Sequence, residues 1–270
     1  MPAMQKILSG RDLADYIQER QGRQARALIQ SGGVQPKLAI IVTTKNPTIE
    51  LYVKLKQRYG NDISVEVEVH RVPVSEAAEL IDSLNNDDTV HGIIVQLPLS
   101  DVSMTDEIVN KVAPAKDVDA LGKDAMYEPA TPMAIMWLLA GYNINLVGKH
   151  ILLIGRGKLV GAPLQKQMIA SGLDVEVADR STDLAQRALK ADIIITATGN
   201  PGILTADMIK SGAVVVDAGV ASESGKTVGD LADDVYDRDD LTMTPKKGGV
   251  GPLTVCALFE NVLRAAREKI

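Results

Sequence analysis

Cysteine, histidine and large aromatic side chains are scarce in this chain: it has one cysteine, three histidines, one tryptophan and one phenylalanine among 270 residues. A lone Cys256 excludes an internal disulfide and any cysteine-based metal cluster. Three scattered histidines make no zinc site, so no metal is expected. No stretch approaches the ~18 consecutive apolar residues of a membrane span. Met1-Pro2-Ala3-Met4-Gln5-Lys6 lacks the apolar centre of a signal peptide. The net charge of -6, with lysines and arginines dispersed, argues against a nucleic-acid surface and leaves only local basic pockets for anions. These absences point to a soluble cytoplasmic protein whose partners are small molecules, with neither nucleic acid nor membrane among them.

What is present is a hydrophobic fraction of 46% in a chain long enough for two ordinary domains. Arg11 to Ser31 has helical apolar spacing and stops at Gly32-Gly33. Lys37 to Val42 reads as a buried strand, Ile49 to Tyr59 as a helix closed by Gly60, and Ile63 to Val72 as a strand. Ser75 is expected to cap a helix running through Leu84, and Val90 to Val95 forms a further apolar strand. After a short helix near Thr105 to Val112, a loop rich in Gly, Lys, Asp and Pro reads as a domain junction, and Thr131-Pro132 opens the next helix. Strands at His150 to Ile154, Val175 to Val177, Ile193 to Ala197 and Ala213 to Asp217 then alternate with helices at Val160 to Ala170 and Asp183 to Lys190. That alternation predicts a Rossmann-type doubly wound parallel sheet. Pro252 to Glu268 is a strong final helix with a glycine-rich start.

Ile151-Leu152-Leu153-Ile154 runs into Gly155-Arg156-Gly157-Lys158-Leu159-Val160-Gly161. A strand buried on both faces would turn there into a helix, and glycines without a Cβ let a pyrophosphate approach the N-H groups and the helix dipole. The spacing has one residue more than the usual dinucleotide fingerprint. Asp179, 24 residues after Gly155, suits ribose hydroxyls and would disfavour a 2'-phosphate. Arg156 and Arg180 favour that phosphate, so NADP is expected with NAD as the alternative. In the first half, Tyr52 and Lys56 are four apart and share a helix face, where a ring can stack on a flat substrate while an amine transfers protons. A solvated lysine and a core tyrosine are the plainer reading of the same pair. Gln96 follows an apolar strand, where α/β proteins place ligand-facing groups. Only one of Asp117 and Asp119 would face a pocket if the backbone between them is extended.

Nine segments in order resemble the bifunctional methylenetetrahydrofolate dehydrogenase/cyclohydrolase family of FolD type: Tyr52-Val53-Lys54-Leu55-Lys56, Val95-Gln96-Leu97-Pro98-Leu99, Lys116-Asp117-Val118-Asp119, Pro129-Ala130-Thr131-Pro132, Gly155 to Pro163, Ala197-Thr198-Gly199, Val216-Asp217-Ala218-Gly219, Val228-Gly229-Asp230, and Gly248-Gly249-Val250-Gly251-Pro252-Leu253-Thr254-Val255. The resemblance implies oxidation of 5,10-methylenetetrahydrofolate with NAD(P)+, then hydrolysis of the methenyl product to 10-formyltetrahydrofolate. It implies Lys56 as general acid/base, Tyr52 stacking on the folate, Gln96 tuning Lys56, and Asp119 on the pterin edge, with Gly249 and Pro252 also at the substrate. Gly155, Arg156, Gly157, Val160, Gly161, Asp179, Arg180, Thr198, Gly199 and Val220 would bind the nucleotide. It also implies two α/β domains around a cleft: residues 1–120 plus the final helix 252–270 for folate, residues 121–251 for NAD(P), and a homodimer formed through the second.

The chain departs from the family pattern at Thr43-Thr44 and Ile49, where Val-Gly and a serine are usual, and at Gly157, where a serine is usual. Ala130 and Ala120 replace a cysteine and a glycine, and Lys246-Lys247 add two charges before Gly248-Gly249. These changes leave open a dehydrogenase with little hydrolytic activity or a relative that binds without turnover.

Overall fold

The computed structural model describes residues 6–223 and 226–269, so the expectation for the leader, Met1 to Gln5, lies outside the described residues, as does Ile270 at the end of the expected first domain. In chain order the elements are β1 (Lys6–Ile7), α1 (Gly10–Gly32), β2 (Lys37–Val42), α2 (Pro47–Asp62), β3 (Glu66–Arg71), α3 (Val74–Asn86), β4 (Gly92–Val95) and α4 (Thr105–Val109). They continue with α5 (Ala130–Gly141), β5 (Ile151–Ile154), α6 (Gly161–Ala170), β6 (Val175–Ala178), α7 (Leu184–Ala188), β7 (Ile193–Thr196), β8 (Val214–Asp217), β9 (Ala221–Glu223), β10 (Lys226–Val228), β11 (Thr242–Met243) and α8 (Val250–Arg267). The chain divides into two compact units: Asp15–Ala130 with the stretch from Val255 onward, and Thr131–Thr254 with the segment up to Ala14.

The first of these units holds a three-stranded parallel sheet in the order β3-β2-β4. Strands β2 and β4 are buried almost throughout, as all-parallel strands covered on both faces require. Asn46 starts α2 by accepting from the Thr48 and Ile49 N–H groups at 2.8 and 3.5 Å, with Pro47 in the first turn, so the helix begins two residues before Ile49. Gly60 does not close this helix. A Cβ there would lie 2.4 Å from Val67 Cγ2, so the glycine serves the close approach of helix to strand. Ser75 caps nothing; it lies inside α3, whose N-cap position is Pro73 with no side-chain bond. The other end of α3 is closed by Lys116, whose buried Nζ donates to the carbonyls of Leu84 (2.8 Å) and Asp87 (2.7 Å).

The other unit is built on a six-stranded sheet, β1-β11-β8-β7-β5-β6, parallel at every pairing. From β5 the order runs one way to β6 and the other way to β7 and β8. That reversal is the topological switch point, beyond whose carboxyl ends such sheets bind ligands. The doubly wound sheet is the one expected. Strands β1 and β11, two residues each, and the hairpin β9-β10 were not foreseen, because runs so short show no period. Helix α5 starts at Ala130, which leaves Pro132 within the first turn and Thr131 inside the helix rather than at its cap.

Candidate active site

Tyr52 and Lys56 lie one turn apart on α2, both half-buried, while Lys54 between them is exposed. Gln96 leaves the end of β4 and its Oε1 accepts from Lys56 Nζ at 2.7 Å. The amide is held the right way round because its Nε2 donates to the Leu97 carbonyl at 3.2 Å. Burial pushes the Lys56 amine below the ordinary lysine value, and the Asp119 carboxylate opposes the shift. Burial correspondingly pushes Asp119 up, with Lys56 opposing. A lysine brought toward neutrality beside a carboxylate and an oriented amide can accept and return a proton.

The backbone that carries Asp119 is secured on both sides. Asp117 is buried, and its carboxylate accepts from the N–H groups of Gly122 (2.8 Å) and Leu121 (3.3 Å), so it shapes the turn while Asp119 addresses Lys56. Ala120 takes a left-handed φ of 54°. From α8, buried Asn261 donates to the carbonyls of Val118 and Glu128, each at 2.9 Å. The sequence reading missed Asn261; its only signal was a lone amide in an apolar helix. Ile49, the position with an expected serine, is buried in the core.

In the six-stranded unit, β5 is followed by Gly155, whose φ is 102° and whose added Cβ would lie 2.7 Å from the Ala197 carbonyl. An added Cβ on Gly161 would lie 2.2 Å from the Gly155 carbonyl. These two glycines are therefore demanded by backbone meeting backbone, whereas a Cβ on Gly157 would meet nothing within 4 Å. The turn opens a pocket of about 250 Å³ lined by Gly155, Arg156, Gly157, Asp179, Arg180 and Thr198, among others. Leu184, Asn200 and Ile203, which the sequence reading did not name, also line it. Val160, Gly161, Gly199 and Val220 are not part of that lining; Val160 and Gly161 start α6 and Val220 is exposed. Asp179 Oδ1 is engaged within its own turn, by Ser181 N (2.9 Å), Ser181 Oγ (2.6 Å) and Thr182 Oγ1 (3.3 Å). Those bonds, the Ser181 hydroxyl foremost, hold the carboxyl below its ordinary value, and Arg156 adds to the effect.

Gly249 and Pro252 belong to this same unit, at the start of α8. A Cβ on Gly10 would lie 1.8 Å from the Gly249 carbonyl, so α1 begins directly against the glycine loop. Lys246 is drawn aside by Asp233 (2.6 Å) and lies over the Tyr236 ring.

A glycine turn at a switch point, with arginines on its rim, and a lysine-amide-carboxylate group on a second sheet define a nucleotide-dependent α/β enzyme with an acid-base centre. Comparison narrows the class. The family description "tetrahydrofolate dehydrogenase/cyclohydrolase, catalytic domain" matches residues 8–119, and its NAD(P)-binding domain matches residues 129–270. The bifunctional protein FolD of Desulforamulus reducens is 36% identical over 281 residues, covering 99% of each chain. The crystal structure of the FolD methylenetetrahydrofolate dehydrogenase/cyclohydrolase of Campylobacter jejuni superposes with a TM-score of 0.91 at 34% identity, covering 98% of this chain and 100% of that one. The Trypanosoma brucei FolD enzyme, solved with NADP and an inhibitor, gives a TM-score of 0.91 at 28% identity over 100% of this chain and 99% of that one. The chain belongs to the tetrahydrofolate dehydrogenase/cyclohydrolase family.

Proposed function

We infer that this chain is the bifunctional enzyme of folate one-carbon metabolism that oxidises 5,10-methylenetetrahydrofolate with NADP+ and hydrolyses the resulting methenyl compound to 10-formyltetrahydrofolate. The observation that carries the reading is the coexistence of the Lys56–Gln96 bond, with Asp119 beside it, and the Gly155 turn in a chain matched to both family domains. Lys56 is the proton-transferring group: neutral, it takes a proton from the water attacking the cationic methenyl carbon, and protonated, it returns one as the ring C–N bond breaks. Gln96 fixes its direction, Asp119 binds the amino and amide edge of the pterin, and Tyr52 supports the ring by stacking. Residues 1–120 with 252–270 are assigned to folate and 121–251 to the nucleotide, with Gly249 and Pro252 beside the substrate.

The nucleotide, when bound, supplies the hydride acceptor. Gly155 and Gly161 set the turn, Gly157 with no Cβ leaves the main chain before α6 open to its pyrophosphate, and Arg156 and Arg180 face a 2'-phosphate. Val160, Gly199 and Val220 flank the same site. NADP is favoured over NAD because Asp179 spends one oxygen on its own turn and stands near Arg156. We assign the enzyme to the cytoplasm, as a homodimer formed through the nucleotide-binding unit.

The test is a spectrophotometric assay with 5,10-methylenetetrahydrofolate and NADP+ or NAD+, following reduced nicotinamide and methenyl compound separately. Reduced nicotinamide without lasting methenyl absorbance, faster with NADP+, is expected. Methenyl that decays no faster than in buffer would leave a dehydrogenase alone. Lys56→Met should abolish hydrolysis while NADP+ affinity stays within about twofold, a difference of about 0.4 kcal/mol.

A further inference from the structure

Two of the matched segments, Val216-Asp217-Ala218-Gly219 and Val228-Gly229-Asp230, have no part in the chemistry above, and the fold brings them together. Strand β8 ends at Asp217, the chain turns through Gly219 into the β9-β10 hairpin, and the hairpin returns it to Gly229 and Asp230. The Asp217 carboxylate accepts from the N–H groups of Gly219 (2.9 Å), Asp230 (3.0 and 3.1 Å) and Leu231 (3.2 Å), and from Thr196 Oγ1 (3.2 Å). A Cβ on Gly229 would lie 2.0 Å from Asp217 Oδ2, and a Cβ on Gly219 would lie 2.1 Å from Asp230 Cγ. Each carboxylate thus rests on the glycine of the opposite segment, where no other residue leaves room.

Asp217 is saturated with donors, so its role is to hold the turn. Asp230 differs: it is 0% exposed, its Oδ2 accepts from the Thr198 N–H at 2.7 Å, and its Oδ1 is buried with no hydrogen-bond partner among the described residues. Burial pushes its carboxyl up, against the pull of the Thr198 amide. Thr198 in turn accepts from the Asn200 N–H at 3.0 Å, and both Thr198 and Asn200 line the pocket with Arg156 and Asp179. A buried acid, costly to desolvate, is thereby aimed at the backbone of a ligand-lining turn.

We propose that Asp230 is a positioning residue for the nucleotide, fixing the Thr198-Gly199-Asn200 wall of the pocket through the Thr198 N–H without touching the ligand. The proposal rests on reading the pocket as the NADP+ site. In Asp230→Ala the Thr198 N–H loses its acceptor and the wall relaxes. In Asp230→Asn an oxygen remains for that N–H and only the charge is lost.

The test is NADP+ affinity by titration calorimetry, with KM for NADP+ and kcat at saturating nucleotide, on wild type and both variants, and a melting curve for each. D230A is expected to raise Kd and KM about tenfold or more, equivalent to about 1.4 kcal/mol. Its kcat should stay within about threefold of wild type, and D230N should recover most of the affinity. If D230A does not fold, D230S serves instead, since its shorter side chain cannot reach Thr198. A folded D230A or D230S that binds NADP+ as wild type does, or a D230N as weak as D230A, would overturn the proposal and leave Asp230 a purely structural acid. Wild type that binds no NADP+ would refute the nucleotide reading of the pocket and the role of Asp230 with it.

Discussion

At the scale of single residues, the decisive quantity is the balance of charge between Lys56 and Asp119. Burial lowers the lysine and Asp119 raises it again. Hydrolysis needs the neutral amine, so its rate should rise with pH as Lys56 loses its proton. In Asp119→Asn the opposing carboxylate is gone, the Lys56 pKa falls further, and the rising limb of kcat for methenyl hydrolysis moves to lower pH. A pH-rate profile at saturating substrate checks this; a limb that stays in place, or moves to higher pH, would mean that Asp119 does not act on the base. KM should rise as well, because the same carboxylate is assigned to the pterin. Helical spacing and a strand end made Tyr52, Lys56 and Gln96 candidates, but spacing could not choose between Asp117 and Asp119, and it was the family resemblance that singled out Asp119 and gave all four their roles. Asn261 was not nameable, because what makes it important is two backbone carbonyls more than a hundred residues away in the chain. Asp179 was visible as a position, but the engagement of its Oδ1 by Ser181 and Thr182 became legible only with the turn in place.

At the scale of elements, α8 does more than cover a sheet. Its Asn261 donates to the carbonyl of buried Val118 and to the part-buried carbonyl of Glu128, so an alanine there takes a donor from each. Asn261→Ala should therefore cost about 1–3 kcal/mol in urea unfolding, most of it for the Val118 carbonyl. It should also impair hydrolysis, while Asn261→Asp, with no donor for either carbonyl when ionised, should be no better. A loss below about 0.5 kcal/mol would show that water satisfies both groups. The same scale shows where reading by pattern stops. Gly60 and Ser75 carry the usual marks of a helix stop and a helix cap, yet the glycine serves the contact with Val67 and the serine lies within α3. Local propensity was overridden by packing. The buried strands β2, β4, β5 and β7 were legible because residues covered on both faces must be apolar.

At the scale of the whole molecule, two activities use separate chemistry within one chain, and hydrolysis consumes no nucleotide. Purified enzyme given methenyltetrahydrofolate alone should hydrolyse it, and omission of NADP+ should change the initial rate by less than about twofold, or about 0.4 kcal/mol. A requirement for nucleotide would mean that its binding completes the hydrolytic site. Size-exclusion chromatography with light scattering should give twice the monomer mass; a monomer at micromolar concentration would remove the dimer. The Rossmann sheet was readable from the alternation of strand and helix and the family from nine short segments, whereas the meeting of two of those segments through Asp217 and Asp230 needed the fold.

That closure sets a rule of inheritance for the chain. Because Asp217 rests on Gly229 and Asp230 on Gly219, neither glycine can be exchanged while the acids stay, since a new side chain at either glycine meets an acid already in place. Substitutions there are contingent on one another. A chimera between this enzyme and a relative should therefore carry residues 217–219 and 229–230 across as one cassette, and a lineage that keeps the two acids keeps the two glycines with them.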